Sequence, residues 1–100
     1  MVEANITDQG FFIQGHAKYN EYGYDIVCSA ISALSQSIAI ALNKYGSGKL
    51  YSTVGWLGFE SEVINDIQMA LLDALRMGLQ EIEQEYPKHL QVRTKRGVFK

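Results

Sequence analysis

The 100-residue chain is organised around two segments, Gly15-His16-Ala17 and Asp25-Ile26-Val27-Cys28-Ser29-Ala30-Ile31-Ser32-Ala33-Leu34, which are separated by a loop. The first segment follows a short β-type run and the second has the periodicity of a helix, so together they predict a strand–loop–helix unit. They contain the only cysteine and one of the two histidines. Backbone amides and reactive side chains gather where a strand passes into a helix. We therefore interpret this unit as a candidate Cys–His site.

The second segment is predicted to begin a helix that runs from Asp25 to about Tyr45. Its apolar residues are spaced by three and four, which predicts one buried stripe of Ile31, Leu34, Ile38, Leu42 and Tyr45. Asp25 has a side chain typical of an N-cap, and Gly46-Ser47-Gly48 is typical of a helix end. The many serines and alanines indicate selection for close packing or for hydroxyl groups, because serine is a mediocre helix former.

A second helix is predicted from Asn65 or Asp66 to about Tyr86. Its predicted core stripe is Ile67, Leu71, Ala74, Leu75, Gly78, Ile82 and Tyr86. Met69, Leu72 and Leu79 widen the apolar surface beyond what one sheet needs, which predicts a subunit interface and a homodimer.

Short strands are predicted on either side of both helices. They cover residues 2–6, 11–14, 49–53, 56–63 and 89–93, with Val54-Gly55 as a hairpin turn and Leu57, Phe59 and Val63 on one face. The fold class is therefore α+β, with two helices packed on a small, mostly antiparallel sheet in the order β-β-α-β-β-α-β. Residues 1–94 form one domain, and residues 95–100 form a basic C-terminal tail.

Composition excludes several classes of protein. Hydrophobic residues make up 47% and charged residues 20%, which is typical of a folded globular domain. A single cysteine forms no internal disulfide, and we find neither a signal peptide nor an apolar run of about 20 residues. We therefore expect a cytoplasmic protein that has no membrane partner. Because the net charge is −2, we expect no nucleic-acid partner. The basic tail fits either an anionic docking site or a solvated chain end.

Cys28 has the features of a nucleophile. A position in the first helical turn favours the thiolate, since the helix dipole is positive there. His16 would act as the general base and then as the acid, and the backbone amides of Cys28 and Ser29 would hold an oxyanion. Asp25 and Ser32 are candidate supporting residues. The alternatives stay open: Cys28 as a small buried hydrophobe, Asp25 as a simple cap, and Ser32 bonded to its own backbone. No metal or other cofactor is predicted, because Cys28, His16 and Asp25 lack the paired motifs of zinc sites.

The loop Ala17–Tyr24 is rich in aromatic side chains. Tyr19, Tyr22, Gly23 and Tyr24 predict a lid or a wall against the substrate. Packing of these tyrosines on the edge of their own domain is the alternative.

These segments resemble the signature of the ribosomal-processing cysteine proteases (Prp). The similarity is carried by Gly15-His16-Ala17, Tyr19, Gly23, Asp25-Ile26-Val27-Cys28, Ala30 and Ser32-Ala33-Leu34, and it continues through Gly78-Leu79, Ile82 and Tyr86-Pro87. The first strand is shorter than is usual in that family, and the tail is basic where relatives tend to be acidic.

The resemblance implies a homodimeric cysteine endopeptidase. Its substrate would be the N-terminal extension of a large-subunit ribosomal protein, cut after a hydrophobic stretch that ends in paired phenylalanines, and ribosome assembly would depend on the cut. Phage capsid or scaffold proteins are further implied substrates. The same resemblance implies that His16 is the general base, Cys28 the nucleophile, Asp25 and Ser32 supporting residues, and Ala17–Tyr24 the mobile substrate loop.

Other functions remain open on the sequence. One is a non-enzymatic ribosome- or RNA-associated dimeric protein that uses the basic tail. Another is a dimerisation module built on the helix 66–86. For the protease we also expect that substrate adds as a β-strand along residues 10–15.

Overall fold

The computed structural model describes residues 1–15 and 24–94, without the side chains of residues 24 and 25. Within these residues the elements are β1 (Val2–Thr7), β2 (Gly10–Gln14), α1 (Tyr24–Lys44), β3 (Lys49–Thr53), β4 (Trp56–Glu60), α2 (Asp66–Glu85) and β5 (Leu90–Thr94). This order confirms the predicted β-β-α-β-β-α-β arrangement and the α+β class. The tail 95–100 lies outside the described residues.

The described strands form one mixed sheet in the order β3-β4-β2-β1-β5. The β1–β5 pair is parallel and the other pairs are antiparallel. Side chains alternate along each strand, so that Phe11 and Ile13 are buried beneath the helices while Gln14 is exposed. Phe11 and Phe59 face each other in register and are both fully buried at the centre of the core.

The central position of β2 excludes one predicted mode of substrate binding. β2 pairs with β1 along one edge and with β4 along the other, and the N–H of Gly15 donates to the carbonyl of Gly55 at 3.1 Å. The backbone groups of residues 10–15 are therefore already used inside the sheet. The hypothesis that a peptide adds as a strand along this segment is wrong, because a strand needs a free edge for that pairing.

Helix α1 covers the sheet with the predicted spacing over most of its length. Ile31, Ile38 and Leu42 are buried as predicted, and Leu34 is half-buried. Tyr45 was predicted to continue the stripe, but it follows the end of the helix and is 48% exposed.

Helix α1 also corrects the expectation that no segment has the length of a membrane span. Residues 26–44 are long and apolar enough to cross a membrane, with a mean hydropathy of 1.6. The core helix of a compact domain meets the same criterion, and α1 packs against α2, β3 and β4.

Helix α2 is rotated from the predicted orientation. Asn65 is its N-cap and forms a capping box with Gln68. The fully buried residues are Gln68, Leu72, Leu75 and Leu79, whereas Ile67 is 55% exposed. The predicted stripe is therefore wrong at Ile67 and at Ala74, which is also exposed. Leu72 and Leu79, assigned to a subunit interface, belong to the core of the chain itself.

The hairpin between β3 and β4 matches the predicted Val54-Gly55 turn. Gly55 has a φ of 78°, a left-handed value that favours glycine. Val63 was predicted to share a strand face with Phe59, but β4 ends at Glu60 and Val63 is 72% exposed. The chain leaves the sheet after Glu60, where the N–H of Ser61 donates to the carbonyl of Gln9.

Candidate active site

Cys28 lines a cavity of about 170 Å³ between the start of α1 and one end of the sheet. The walls come from five elements and from the glycines that follow β2 and precede β4. They are formed by Val2, Ile13, Gln14, Gly15, Cys28, Ile31, Ser32, Ser35, Gln36, Thr53, Gly55, Trp56 and Leu57. The cavity lies between the end of β2 and the start of α1. The strand and the helix of the predicted unit thus border a site large enough for one side chain.

Gly15 fixes the point from which the chain continues to His16. Its φ is 153°, and a Cβ built on it would lie 2.7 Å from Cα of Val2 and 2.9 Å from the carbonyl oxygen of Met1. Only glycine allows this close approach of two backbones. The hydrogen bond to Gly55 holds the same residue from the other side. The start of β1 and the β3–β4 turn therefore hold the chain immediately before the predicted general base.

Cys28 and Ser32 face the same cavity, as their spacing of four residues predicts. Cys28 is half-buried and its side chain packs against the hydrophobic core. Cys28 thus packs as a small hydrophobic residue would. It also borders the cavity, which gives it the open space that a nucleophile needs. Ser32 is exposed and lies one turn after Cys28 on the cavity wall.

The start of α1 corrects the predicted role of Asp25 as an N-cap. The helix begins at Tyr24, so Asp25 is its second residue and the N-cap assignment is wrong. Cys28 is the fifth helical residue, and its amide therefore meets the carbonyl of Tyr24 in the i to i−4 pattern. The amide of Ser29 meets the carbonyl of Asp25 in the same way. The oxyanion role of the amides of Cys28 and Ser29 stays a prediction.

Several predicted site residues lie outside the described residues. These are His16, Tyr19, Tyr22 and Gly23. The side chains of Tyr24 and Asp25 are also outside, although Tyr24 is helical and not part of the loop as predicted. Their roles stay predictions.

The structure adds cavity residues that sequence reasoning missed. Trp56, Thr53 and Gly55 come from the β3–β4 hairpin, and Ser35 and Gln36 come from the fourth turn of α1. The pairing of Trp56 with Gln14 places the hairpin at this end of the sheet. A single sequence gives no signal for that pairing, but Ser35 lies seven residues after Cys28 and so shares its helical face.

A second depression adjoins the cavity on the far side of the Gly15–Gly55 hydrogen bond. It is open, measures about 520 Å³ and shares Gln14, Gly15, Gly55 and Trp56 with the cavity of Cys28. The two depressions are therefore neighbours at this end of the sheet. Another open depression of about 500 Å³ lies between Gly48 and Glu62. Neither a cysteine nor a histidine is among the described residues that line it, so we locate the candidate active site at Cys28.

The chain is a two-layer α+β domain, and its one cysteine lies near the start of a helix and faces a cavity. This arrangement is typical of a small cysteine hydrolase. The family model described as Cysteine protease Prp matches residues 1–91. The chain belongs to this family, and the resemblance given by the sequence signature is confirmed.

Named relatives agree with this assignment. The chain is 30% identical to the ribosomal processing cysteine protease Prp of Staphylococcus aureus over 103 aligned positions, which cover 94% of this chain and 97% of the relative. Crystal structures of the S. aureus ribosomal processing protease Prp are similar to this one. The complex with a substrate peptide has a TM-score of 0.79 and 29% identity, covering 95% of this chain and 100% of that one.

A further S. aureus structure holds a covalently linked product peptide. It has a TM-score of 0.77 and 28% identity, over 95% of this chain and 100% of that one. The structure of SMU.848 from Streptococcus mutans, at 23% identity and a TM-score of 0.76, covers 94% of this chain and 93% of that one. It shares the fold.

Proposed function

We propose that this protein is a cysteine endopeptidase in which Cys28 is the nucleophile and His16 the general base. One observation carries the proposal: Cys28 lines a cavity together with Gly15, the residue immediately before His16. Gly15 is the last described residue before the proposed base, and it borders the same cavity as Cys28. Membership of a family of cysteine proteases supports the same chemistry.

The reaction we infer has two steps. His16 accepts the thiol proton of Cys28, and the sulfur attacks the carbonyl carbon of the scissile peptide bond. A C–S bond forms, the C–N bond breaks, and His16 gives its proton to the leaving amine. A water molecule then attacks the thioester with His16 again as base, which releases the new carboxylate and restores the thiol. Asp25 and Ser32 are the proposed supporting residues, with Ser32 on the cavity wall beside Cys28.

The proposed substrate is the N-terminal extension of a large-subunit ribosomal protein, cut after a Phe-Phe-type motif. The names of the relatives support ribosomal processing, and peptide-bound structures of a relative support a peptide substrate. The two adjoining depressions supply a surface that is longer than one residue. Trp56 lines both depressions and its ring stacks on that of Phe12, with centroids 5.5 Å apart, so an aromatic side chain lies beside this surface. We also propose a cytoplasmic homodimer, and phage capsid or scaffold proteins as further substrates.

The test is cleavage of a synthetic peptide with a Phe-Phe motif by the full chain. Wild type should cut it, and Cys28→Ala and His16→Ala should each lower kcat/KM by at least about a thousandfold while the fold is retained. Ser37→Ala is the matched control, since Ser37 is exposed on α1 and its hydroxyl donates to the carbonyl of Ala33. Cutting by Cys28→Ala at the wild-type rate would overturn the proposal. Salt-sensitive RNA binding that is unaffected by loss of Cys28 would favour the non-enzymatic alternative.

A further inference from the structure

A buried serine lines the same cavity as Cys28. Ser35 lies two helical turns after Cys28 and is 1% exposed. Its Oγ atom has no hydrogen-bond partner in the part of the chain that the structure describes. Ser37, on the exposed face of the same helix, donates to the carbonyl of Ala33 at 2.8 Å, which is the usual arrangement for a serine within a helix. Ser35 is therefore unusual within its own helix.

A buried hydroxyl without a partner destabilises a folded chain relative to one that is hydrogen-bonded. Most buried polar groups in native structures have such a partner. Alanine would fit the helix at this position and has the better helix propensity. We therefore expect the hydroxyl of Ser35 to have a hydrogen-bond partner, and that partner would bind in the cavity.

The shape and chemistry of the cavity restrict what that partner is. Its volume of about 170 Å³ is close to the roughly 150 Å³ of a protein cavity that holds benzene, so it has room for one side chain. Apolar walls come from both layers of the fold: Val2, Ile13, Ile31, Trp56 and Leu57. No Asp, Glu, Lys or Arg is among the described residues that line it. The occupant is therefore neutral and mainly apolar, with one polar group that reaches Ser35.

We propose that this cavity is a subsite for one substrate side chain with an apolar body and a neutral hydrogen-bonding end, and that Ser35 Oγ binds that end. The inference rests on the proposed protease function, and it makes Ser35 a specificity-determining residue of that site. A hydroxyl both donates and accepts, so a phenol hydroxyl or a side-chain amide satisfies it. A purely apolar side chain fills the same space and leaves Ser35 without a partner.

The experiment uses matched pairs of peptides that differ at one position. In one pair that position carries Phe or Tyr, and in the other it carries Met or Gln. The positions are the three residues before the scissile bond and the one after it. At one of them wild type should favour the polar-ended member of the pair. Ser35→Ala should reduce that preference about tenfold in kcat/KM, the effect of losing one buried hydrogen bond. Ser37→Ala should keep the wild-type ratio at every position.

A second measurement separates this role from a structural one. Without peptide, Ser35→Ala should unfold at the same urea concentration as wild type or at a higher one, because no bond within the described chain is lost. A hydroxyl that supports the fold would instead lower that concentration and leave the peptide ratios unchanged. Equal ratios for Ser35→Ala and wild type at every position would overturn the subsite while leaving the protease function intact. Failure of wild type to cut any peptide would overturn both.

Discussion

Gly15 is the residue on which the geometry of the site depends most directly. Two backbones approach it, that of β1 through Val2 and that of the β3–β4 turn through Gly55. The next residue along the chain is His16. A displacement of the backbone at Gly15 is therefore expected to displace the proposed base as well. Positioning errors of about 1 Å near reacting groups lower rates by about a hundredfold.

Gly15→Ala should therefore impair both stability and cleavage. The added Cβ would lie too close to backbone atoms of Met1 and Val2, which cannot turn aside as a side chain can. The residue would also keep a φ of 153°, which disfavours any side chain. We expect a loss of about 1–3 kcal/mol in the free energy of unfolding. Cleavage of the Phe-Phe peptide should fall by about tenfold or more under conditions where the variant is folded. Urea unfolding and steady-state kinetics measure the two effects.

Gly78→Ala is the matched control for that prediction. Its added Cβ meets Cδ2 of Leu34, the far end of a side chain that can turn aside, and alanine gains about 1 kcal/mol of helix propensity over glycine. We expect a change within about 1 kcal/mol of wild type and full activity. Equal losses in the two variants would contradict the role given to Gly15.

At the scale of the elements, one side chain joins the two helices. Nε2 of Gln68, near the start of α2, donates to the carbonyl of Leu42 at 3.0 Å and to the carbonyl of Ser47 at 3.1 Å. Its Oε1 accepts from the N–H of Asn65 at 3.1 Å. A fully buried amide thereby satisfies the end of α1 and the cap of α2 together.

Gln68→Met, which keeps the length of the side chain, should destabilise the fold by about 2–4 kcal/mol. The change leaves the buried carbonyl of Leu42 without a partner and removes half of the capping box, and each of these costs about 1–2 kcal/mol. Urea unfolding monitored by circular dichroism measures the loss. Gln84→Met, at an exposed position of the same helix, should change stability by less than about 0.5 kcal/mol. An effect of Gln68→Met as small as that of Gln84→Met would contradict the interpretation.

Gln68 also explains why the sequence predicted α2 itself but not its orientation. Hydrophobic periodicity assigns Ile67 to the core and Gln68 to the surface. In the structure Ile67 is exposed and Gln68 is buried. The hydrogen bonds that compensate burial of the amide come from Leu42 and Ser47, more than 20 residues away in the chain. In α1 the buried residues are mostly aliphatic, and the stripe was predicted correctly at Ile31, Ile38 and Leu42.

At the scale of the whole molecule, the features that the sequence did not predict are those that depend on the order of the strands in the sheet. Local patterns gave the two helices and the hairpin, because each depends on neighbours in the chain. Pairing of β2 with both β1 and β4 depends on contacts across the whole sequence. That pairing excluded strand addition at residues 10–15 and brought Trp56 to the cavity. Cys28 and Ser32 were correctly predicted to face one site, since helical spacing alone relates them.

The surface of α1 supports the proposed homodimer at a different place from the one predicted. α1 is apolar on two faces, which is why its composition resembles that of a membrane span. One face is buried in the core, and the other exposes Ile26 at 69% and Ile40 at 65%, with the exposed Ala30 and Ala33 between them. These four residues follow one another at spacings of four, three and seven, so they form a single stripe. An exposed apolar stripe of this kind is typical of a surface that another subunit covers.

Ile40→Asp should therefore raise the dissociation constant of the dimer at least about tenfold, because a charge placed in a dry interface loses its hydration. The fold should persist, since Ile40 makes no part of the buried core. Sedimentation velocity over a range of protein concentrations measures the change. Val63→Asp makes the same substitution at a position that is 72% exposed and lies beyond β4, so it should leave the dimer intact. A wild-type protein that stays monomeric at all concentrations, or an Ile40→Asp variant that dimerises like wild type, would rule out this face as the interface.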